Sequence, residues 1–337
     1  MLHVSAGGAG CRALAGALVL ACALLARVAR ATCQLPLPLP AFARPTGATV
    51  GPGDTLVLAS SSGTILRANL DDYTVQEDTA LNDKFQDQFG SFDLEGIAMA
   101  DVMSGRLYFV AQGKPTVFEY DWKDTRNIIR RFDLPGFEQS GTVGAESLTW
   151  VPTPASHHGG YFYIGSQLAG QVFIYELPIK DNLAPVVASD TKELISIWTP
   201  LKSSKNVAAM SYSGGYLFVN YDEGCSNHVL IYPILANGMP GELAEQYQVD
   251  VSNAEGMVVR KTGDDTWDIL FTSDTQRAVF AYKFRFVSGF ELHDHCGGMA
   301  SRQFMRRAEA SPSSAARTFP HLLALCALAL WCLNFLW

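Results

Sequence analysis

Three glutamates recur in one local setting. Glu95 lies in Asp93-Leu-Glu-Gly-Ile-Ala, Glu146 in Gly144-Ala-Glu-Ser-Leu-Thr-Trp and Glu255 in Asn253-Ala-Glu-Gly-Met-Val. A fourth segment, Asn206-Val-Ala-Ala-Met-Ser-Tyr, keeps the frame but has Ala208 where the others have an acid. The four starts are spaced by 51, 62 and 47 residues. A fold that brings them together places Glu95, Glu146 and Glu255 side by side, with Asp93, Asn206 and Asn253 next to them. Carboxylates at close range repel, which raises some of their pKa values or recruits a cation. Oxygen-only ligands in a flexible geometry suit Ca²⁺ better than Mg²⁺. Such an ion either braces the fold or polarises a phosphate or lactone carbonyl. The plainest role for these acids is structural. A glutamate at a strand start can accept backbone N–H bonds from a neighbour and so satisfy buried polar groups.

The elements that must position these residues are short strands. From about residue 45 to residue 290 no helical periodicity is sustained. Runs such as Thr55-Leu-Val-Leu-Ala59, Arg106-Leu-Tyr-Phe-Val110, Tyr161-Phe-Tyr-Ile-Gly165, Tyr216-Leu-Phe-Val-Asn220 and Asp268-Ile-Leu-Phe-Thr272 alternate with Gly, Asp, Asn, Ser and Pro, the strand-and-turn signal. Each glutamate-type start is followed by two more such runs. A period of this size with about four strands predicts an all-β fold, a β-propeller. The inner strand of each blade then lines the central channel and brings the starts to one mouth. Thr55–Ala59 and Thr64–Leu70 read as middle strands of a further blade, whose inner strand is expected from the opposite end of the chain. The direct count is five blades, or six if strands after Lys283 form another. A β-sandwich is the competing architecture, but it has no need of a recurring Glu-Gly start.

With these segments in view, the chain resembles the SdiA-regulated family, within the wider group of esterase-like phytase propellers. The resemblance rests on the segments around Glu95, Glu146 and Glu255 and on Asn220-Tyr-Asp-Glu-Gly224, and spans about residues 54 to 286. It implies a β-propeller in an extracytoplasmic setting. Ala208 and Ser147 depart from the Glu-Gly pattern.

The chain has 337 residues, is 48% hydrophobic and carries a net charge of −8. That apolar content excludes a disordered chain. The two ends stand apart from the body. Residues 1–31 hold no acid, Arg12, the apolar run Ala13 to Leu25 and Ala29-Arg30-Ala31, the pattern of a secretory signal peptide. Residues 291–318 form a polar spacer, and 319–337 a hydrophobic tail with no basic residue after it. Small residues, a spacer and a terminal apolar tail make a GPI-type signal, attached at Ser313 or Ser314; a short membrane anchor is the other reading. Both place the body on the outer face of the plasma membrane through the secretory pathway. Without the ends, residues 32–300 contain 32 acids and 18 bases. A balance of that sign argues against nucleic-acid binding.

Three of the seven cysteines, Cys33, Cys225 and Cys296, remain once the end segments are set aside, enough for one disulfide in an oxidising compartment. Cys225 with Cys296 is the pairing expected first; Cys33 with Cys296 would instead tie the two ends together. Other clusters are weaker. Glu291-Leu-His-Asp-His-Cys296 matches no closed zinc spacing, His157-His158 reads as a loop, and Asp222-Glu223 and Asp264-Asp265 read as solvated turns. The basic stretch Arg126–Arg131 reads as a strand edge guarded by charge. No nucleophile elbow, P-loop, dinucleotide fingerprint or zinc-protease helix is present. The sequence therefore points to a cell-surface propeller that binds an unknown protein or small-molecule ligand. A Ca²⁺-dependent phosphoester or lactone hydrolase is the alternative, and a purely structural coat protein a third.

Overall fold

Strand-and-turn alternation in the sequence becomes five small antiparallel sheets in a computed structural model of the chain. It describes residues 37–38, 44–53, 55–70, 75–78, 93–101, 104–112, 114–123, 127–137, 143–180, 193–200, 206–222, 227–249, 251–264, 266–286 and 290–293. The expected signal peptide, most of the spacer, the tail, Ser313, Ser314 and the three cysteines lie outside these residues.

The first strand, β1 (Leu37–Pro38), precedes the first full blade. That blade is β2 (Pro45–Gly51), β3 (Thr55–Ser60), β4 (Ile65–Asn69) and β5 (Val75–Asp78). The second is β6 (Leu94–Met99), β7 (Arg106–Ala111), β8 (Lys114–Asp121) and β9 (Ile128–Asp133). The third is β10 (Ala145–Pro152), β11 (Gly160–Ser166), β12 (Val172–Glu176) and β13 (Glu193–Trp198). The fourth is β14 (Asn206–Ser213), β15 (Tyr216–Asp222), β16 (Asn227–Pro233) and β17 (Glu245–Val249). The fifth is β18 (Ala254–Gly263), β19 (Thr266–Ser273) and β20 (Ala278–Phe286), with β21 (Phe290–His293) on its edge.

The inner strands β2, β6, β10, β14 and β18 touch in that order, and β18 touches β2. That closed ring makes a five-bladed β-propeller. Its cores lie between blades. Leu56, Leu58 and Leu66 of the first blade pack with Val258, Leu270 and Val279 of the fifth, as Phe218 and Ile231 of the fourth do with Phe271 and Tyr282. Each sheet is buried on both faces, which is why its strands read as nearly continuous apolar runs. Burying one such side chain contributes about 1.5–3 kcal/mol, so every blade depends on both neighbours.

Two expectations are corrected. The inner strand of the first blade is β2, from the same stretch of chain, and not a strand from the far end. The ring closes at the rim: β1 pairs with β20, Leu37 facing Val279 and Pro38 facing Ala278. Nor do the residues after Lys283 start a sixth blade. They extend β20 to Phe286 and return as β21 on its edge.

Candidate functional site: the carboxylate mouth

Every inner strand is irregular near its start. Pairing steps from Pro45 to Gly47, from Ala145 to Ser147, from Val207 to Ala209 and from Ala254 to Gly256, leaving Thr46, Glu146, Ala208 and Glu255 as the extra residues. In the second blade the shift lies between Leu94 and Ile97, around Glu95 and Gly96. A bulge frees one residue from the ladder and bends the strand. Thr46, Glu95, Glu146, Ala208 and Glu255 are thus equivalent positions, one per blade. The sequence reading missed Thr46 because it lacks the acid. Its spacing and the glycine after it were the available signal: it stands 49 residues before Glu95.

The residue after the bulge sets how closely blades approach. A Cβ on Gly47 would lie 2.1 Å from the Glu95 carbonyl oxygen, and one on Gly96 2.3 Å from the Leu148 nitrogen. Only glycine lets the backbones meet there. Ser147 takes the same place in the third blade, and its hydroxyl donates to the Val207 carbonyl at 2.9 Å. The Thr46 hydroxyl donates to the Leu94 carbonyl, and Asn220 Nδ2 to the Ala254 carbonyl at 2.8 Å. These bonds hold adjacent blades together at the axis.

The glutamates themselves converge. Glu95 and Glu146 are each only 5% exposed, and Glu255 is half-buried. Burial pushes Glu95 far above the ordinary carboxylate range, and Glu146, Asp93, Glu255 and Asp274 add to the rise. Burial also raises Glu146, opposed by the hydrogen bond that Gln112 Nε2 donates to its Oε1 at 3.0 Å, with Asp93 and Asp222 reinforcing the rise. Glu255 is pushed up to about 8, first by burial and then by Asp274, Glu146 and Asp222, while Arg44 pulls it down.

Asp93 directly precedes β6, close enough to Glu95 and Glu146 to raise both. Asn206 begins β14 opposite Asp222. Asn253 takes a left-handed backbone, φ 46°, in the turn before β18, and its carbonyl accepts the Asp274 amide at 3.3 Å. Asp222 corrects the expectation of a solvated turn. It ends β15, close enough to Glu146 and Glu255 to raise both, and supplies charge in the blade that has Ala208. Asp274, Arg44 and Gln112 were not singled out in the sequence, because single polar residues at strand ends carry no motif. Arg44 Nε and Nη2 bond Asp274 Oδ1 and Oδ2 at 3.0 and 2.9 Å.

Below the bulged residues, Gly96, Ile97, Ser147, Leu148 and Met257 help to wall a cavity in which about 10 Å³ is open to a water centre. That holds about one water, and Glu255 also lines it. Among the described residues no three His, Cys, Asp or Glu side chains are grouped so as to hold a metal ion.

The other clusters stay outside the mouth. His157 and His158 lie in the loop between β10 and β11, where the His158 amide donates to Ser156 Oγ at 3.0 Å. In the basic stretch, Arg130 is buried in an ion pair with Glu119 rather than displayed on an edge.

The chain is similar, at low identity, to several solved structures. They include a glutaminyl cyclase from Myxococcus xanthus (13% identical, 79% of this chain and 99% of that chain covered, TM-score 0.48). An aldose sugar dehydrogenase from Streptomyces coelicolor, in its PQQ-bound form, is 11% identical over 76% of this chain and 98% of that chain, TM-score 0.40. The β-propeller domain of Cps50 (Swd1) from Myceliophteria thermophila is 10% identical over 67% of this chain and 65% of that chain, TM-score 0.37. No protein-family model matches the chain, and no curated protein matches its sequence.

Proposed function

We propose that this protein is a secreted, surface-anchored β-propeller that binds a cationic group at its carboxylate mouth. The observation that carries the reading is the convergence of Glu95, Glu146, Glu255, Asp93, Asp222 and Asp274. The Arg44 guanidinium held by Asp274 is an internal example of the charge such a mouth accepts. A ligand ammonium or guanidinium arriving there gains charge-assisted hydrogen bonds in a partly dehydrated setting. The signal-type first 31 residues and the apolar tail support export and anchoring, and the likeness of the repeats to SdiA-regulated propellers supports an extracytoplasmic role.

Isothermal titration at pH 8 with a tetra-arginine peptide and, separately, with CaCl₂ tests the binding reading. Saturable binding of the peptide that weakens at least tenfold in a Glu146→Gln, Glu255→Gln double variant upholds it. Binding equal in both proteins, or none, overturns it. Binding of CaCl₂ alone would move the proposal to a resident calcium ion. Release of the protein from cells by a phosphatidylinositol-specific phospholipase C tests the anchor.

A further inference from the structure

We propose that Glu95 is the hydrogen-bond donor of the mouth, a protonated acid that selects, among cations, those with a neutral acceptor oxygen beside the charge. This rests on the binding reading above for the cation and names the class of ligand that carries it. The argument starts from the partners of the buried acids. Glu146 Oε1 accepts Gln112 Nε2 at 3.0 Å, and Arg44 holds both oxygens of Asp274. Glu95 is more enclosed than Glu255 and as enclosed as Glu146. Yet among the described residues no donor and no cation reaches its carboxyl.

Its direction follows from its neighbours. The bulge between Leu94 and Ile97 takes Glu95 out of the ladder. Backbone closes in around that bulge, with Gly47 against the Glu95 carbonyl and Gly96 against Ser147 and Leu148. The charges that act on the carboxyl are those of Glu146, Asp93, Glu255 and Asp274, all of its own sign. They belong to the second, third and fifth blades. The first blade stands between the second and the fifth in the ring, so a charge shared by those two is shared across the axis. The Glu95 side chain therefore points into the space at the mouth.

An ionised carboxylate held away from water needs a cation or several donors around it. Glu95 has neither and is ringed by acids, so it keeps its proton, in line with the direction in which burial moves it. A protonated carboxyl has one O–H to donate. No described side chain accepts it, and the bond is open to water or to a ligand. A ligand that takes the place of water there must offer an acceptor, or it leaves a buried donor unmatched. A bare ammonium or guanidinium has donors only. It satisfies the ionised acids and fails at Glu95. A cation with an ether, hydroxyl or carbonyl oxygen close to its nitrogen satisfies both.

NMR titration of the full chain at pH 8 with 2-methoxyethylamine and butylamine tests this. Both amines are charged and of one length; they differ by an oxygen in place of a methylene. The wild type is expected to bind the methoxy amine about three- to tenfold more tightly. Glu95→Gln keeps a donor and should keep the preference, whereas Glu95→Leu should bind both amines alike. No preference in the wild type, a preference that survives in Glu95→Leu, or one lost in Glu95→Gln overturns the inference and leaves cation binding standing. So does binding of tetra-arginine but of neither amine. No binding of any of the three sinks the binding reading and this inference together. The infrared difference between wild type and Glu95→Gln at pH 8 needs no ligand and no Glu95→Leu protein. A protonated-carboxyl C=O band that disappears on substitution is expected, and its absence overturns the inference whatever binds.

Discussion

Arg44 and Asp274 form a two-pronged ion pair across the seam where the first blade meets the fifth, at 3.0 and 2.9 Å. The Arg44 backbone is tied to the first blade as well: its carbonyl accepts the Ser61 amide at 3.0 Å, and its amide donates to Ser60 Oγ at 3.2 Å. The guanidinium also lies near Asp93 and Glu255. It serves as the local counter-charge of the mouth. Exposed ion pairs contribute about 0–1 kcal/mol to stability, so its main effect is on protonation. Arg44→Gln is expected to raise the Glu255 pKa above its present value of about 8, since a charge that favours the carboxylate is gone. Carboxyl-selective NMR titration measures this. A Glu255 pKa that stays or falls would break the relationship.

The raised carboxylates make stability depend on pH, and the sign is fixed. Glu95, Glu146 and Glu255 bind protons more tightly folded than unfolded. Above the unfolded value near 4.5 the unfolded chain loses these protons first, so stability falls as pH rises. For Glu255 the loss spans about pH 4.5 to 8. We expect Tm to be at least about 5 °C higher at pH 5 than at pH 8.5. Glu95→Gln with Glu255→Gln should flatten that slope and raise Tm at pH 8.5. A Tm that climbs between pH 5 and 8.5 in the wild type would contradict it.

Blade contact at the axis depends on residues without side chains. Gly96→Ala would put a methyl 2.3 Å from the Leu148 nitrogen, a backbone atom that can move only if the blades part. We expect a loss of about 3 kcal/mol or more, or failure to fold. Ser147→Ala removes the donor to the Val207 carbonyl and leaves that buried acceptor unmatched, which costs about 1–3 kcal/mol. Urea denaturation monitored by tryptophan fluorescence ranks the two; a Gly96→Ala protein as stable as the wild type would refute the close approach.

A second lock lies away from the axis. Arg130 pairs with Glu119 inside the second blade and donates to the carbonyls of Pro178 and Ile179, at 3.0 and 2.8 Å, in the third. Arg130→Met should destabilise by about 3–5 kcal/mol, because it strands a buried carboxylate. Adding Glu119→Leu should recover much of that loss. A double-mutant cycle in urea reads the coupling, and additive losses would mean the pair does not act as a unit.

Much of the architecture was legible in the sequence. Short apolar runs broken by turn residues act locally, so Thr55–Ala59, Tyr161–Gly165 and Tyr216–Asn220 each fall within a strand of the expected kind. The spacing of Glu95, Glu146 and Glu255 marks one position in each repeating unit, and a repeat whose sheets cannot bury both faces alone must stack. What only the tertiary structure decided depends on contacts between distant segments. The pairing of β1 with β20, the ion pair of residues 230 apart in sequence, and Asp222 standing in for the acid missing at Ala208 leave no local pattern. Protonation belongs to this second group too. A glutamate's sequence neighbours do not fix its pKa; the water excluded by adjoining blades and the charges those blades carry do.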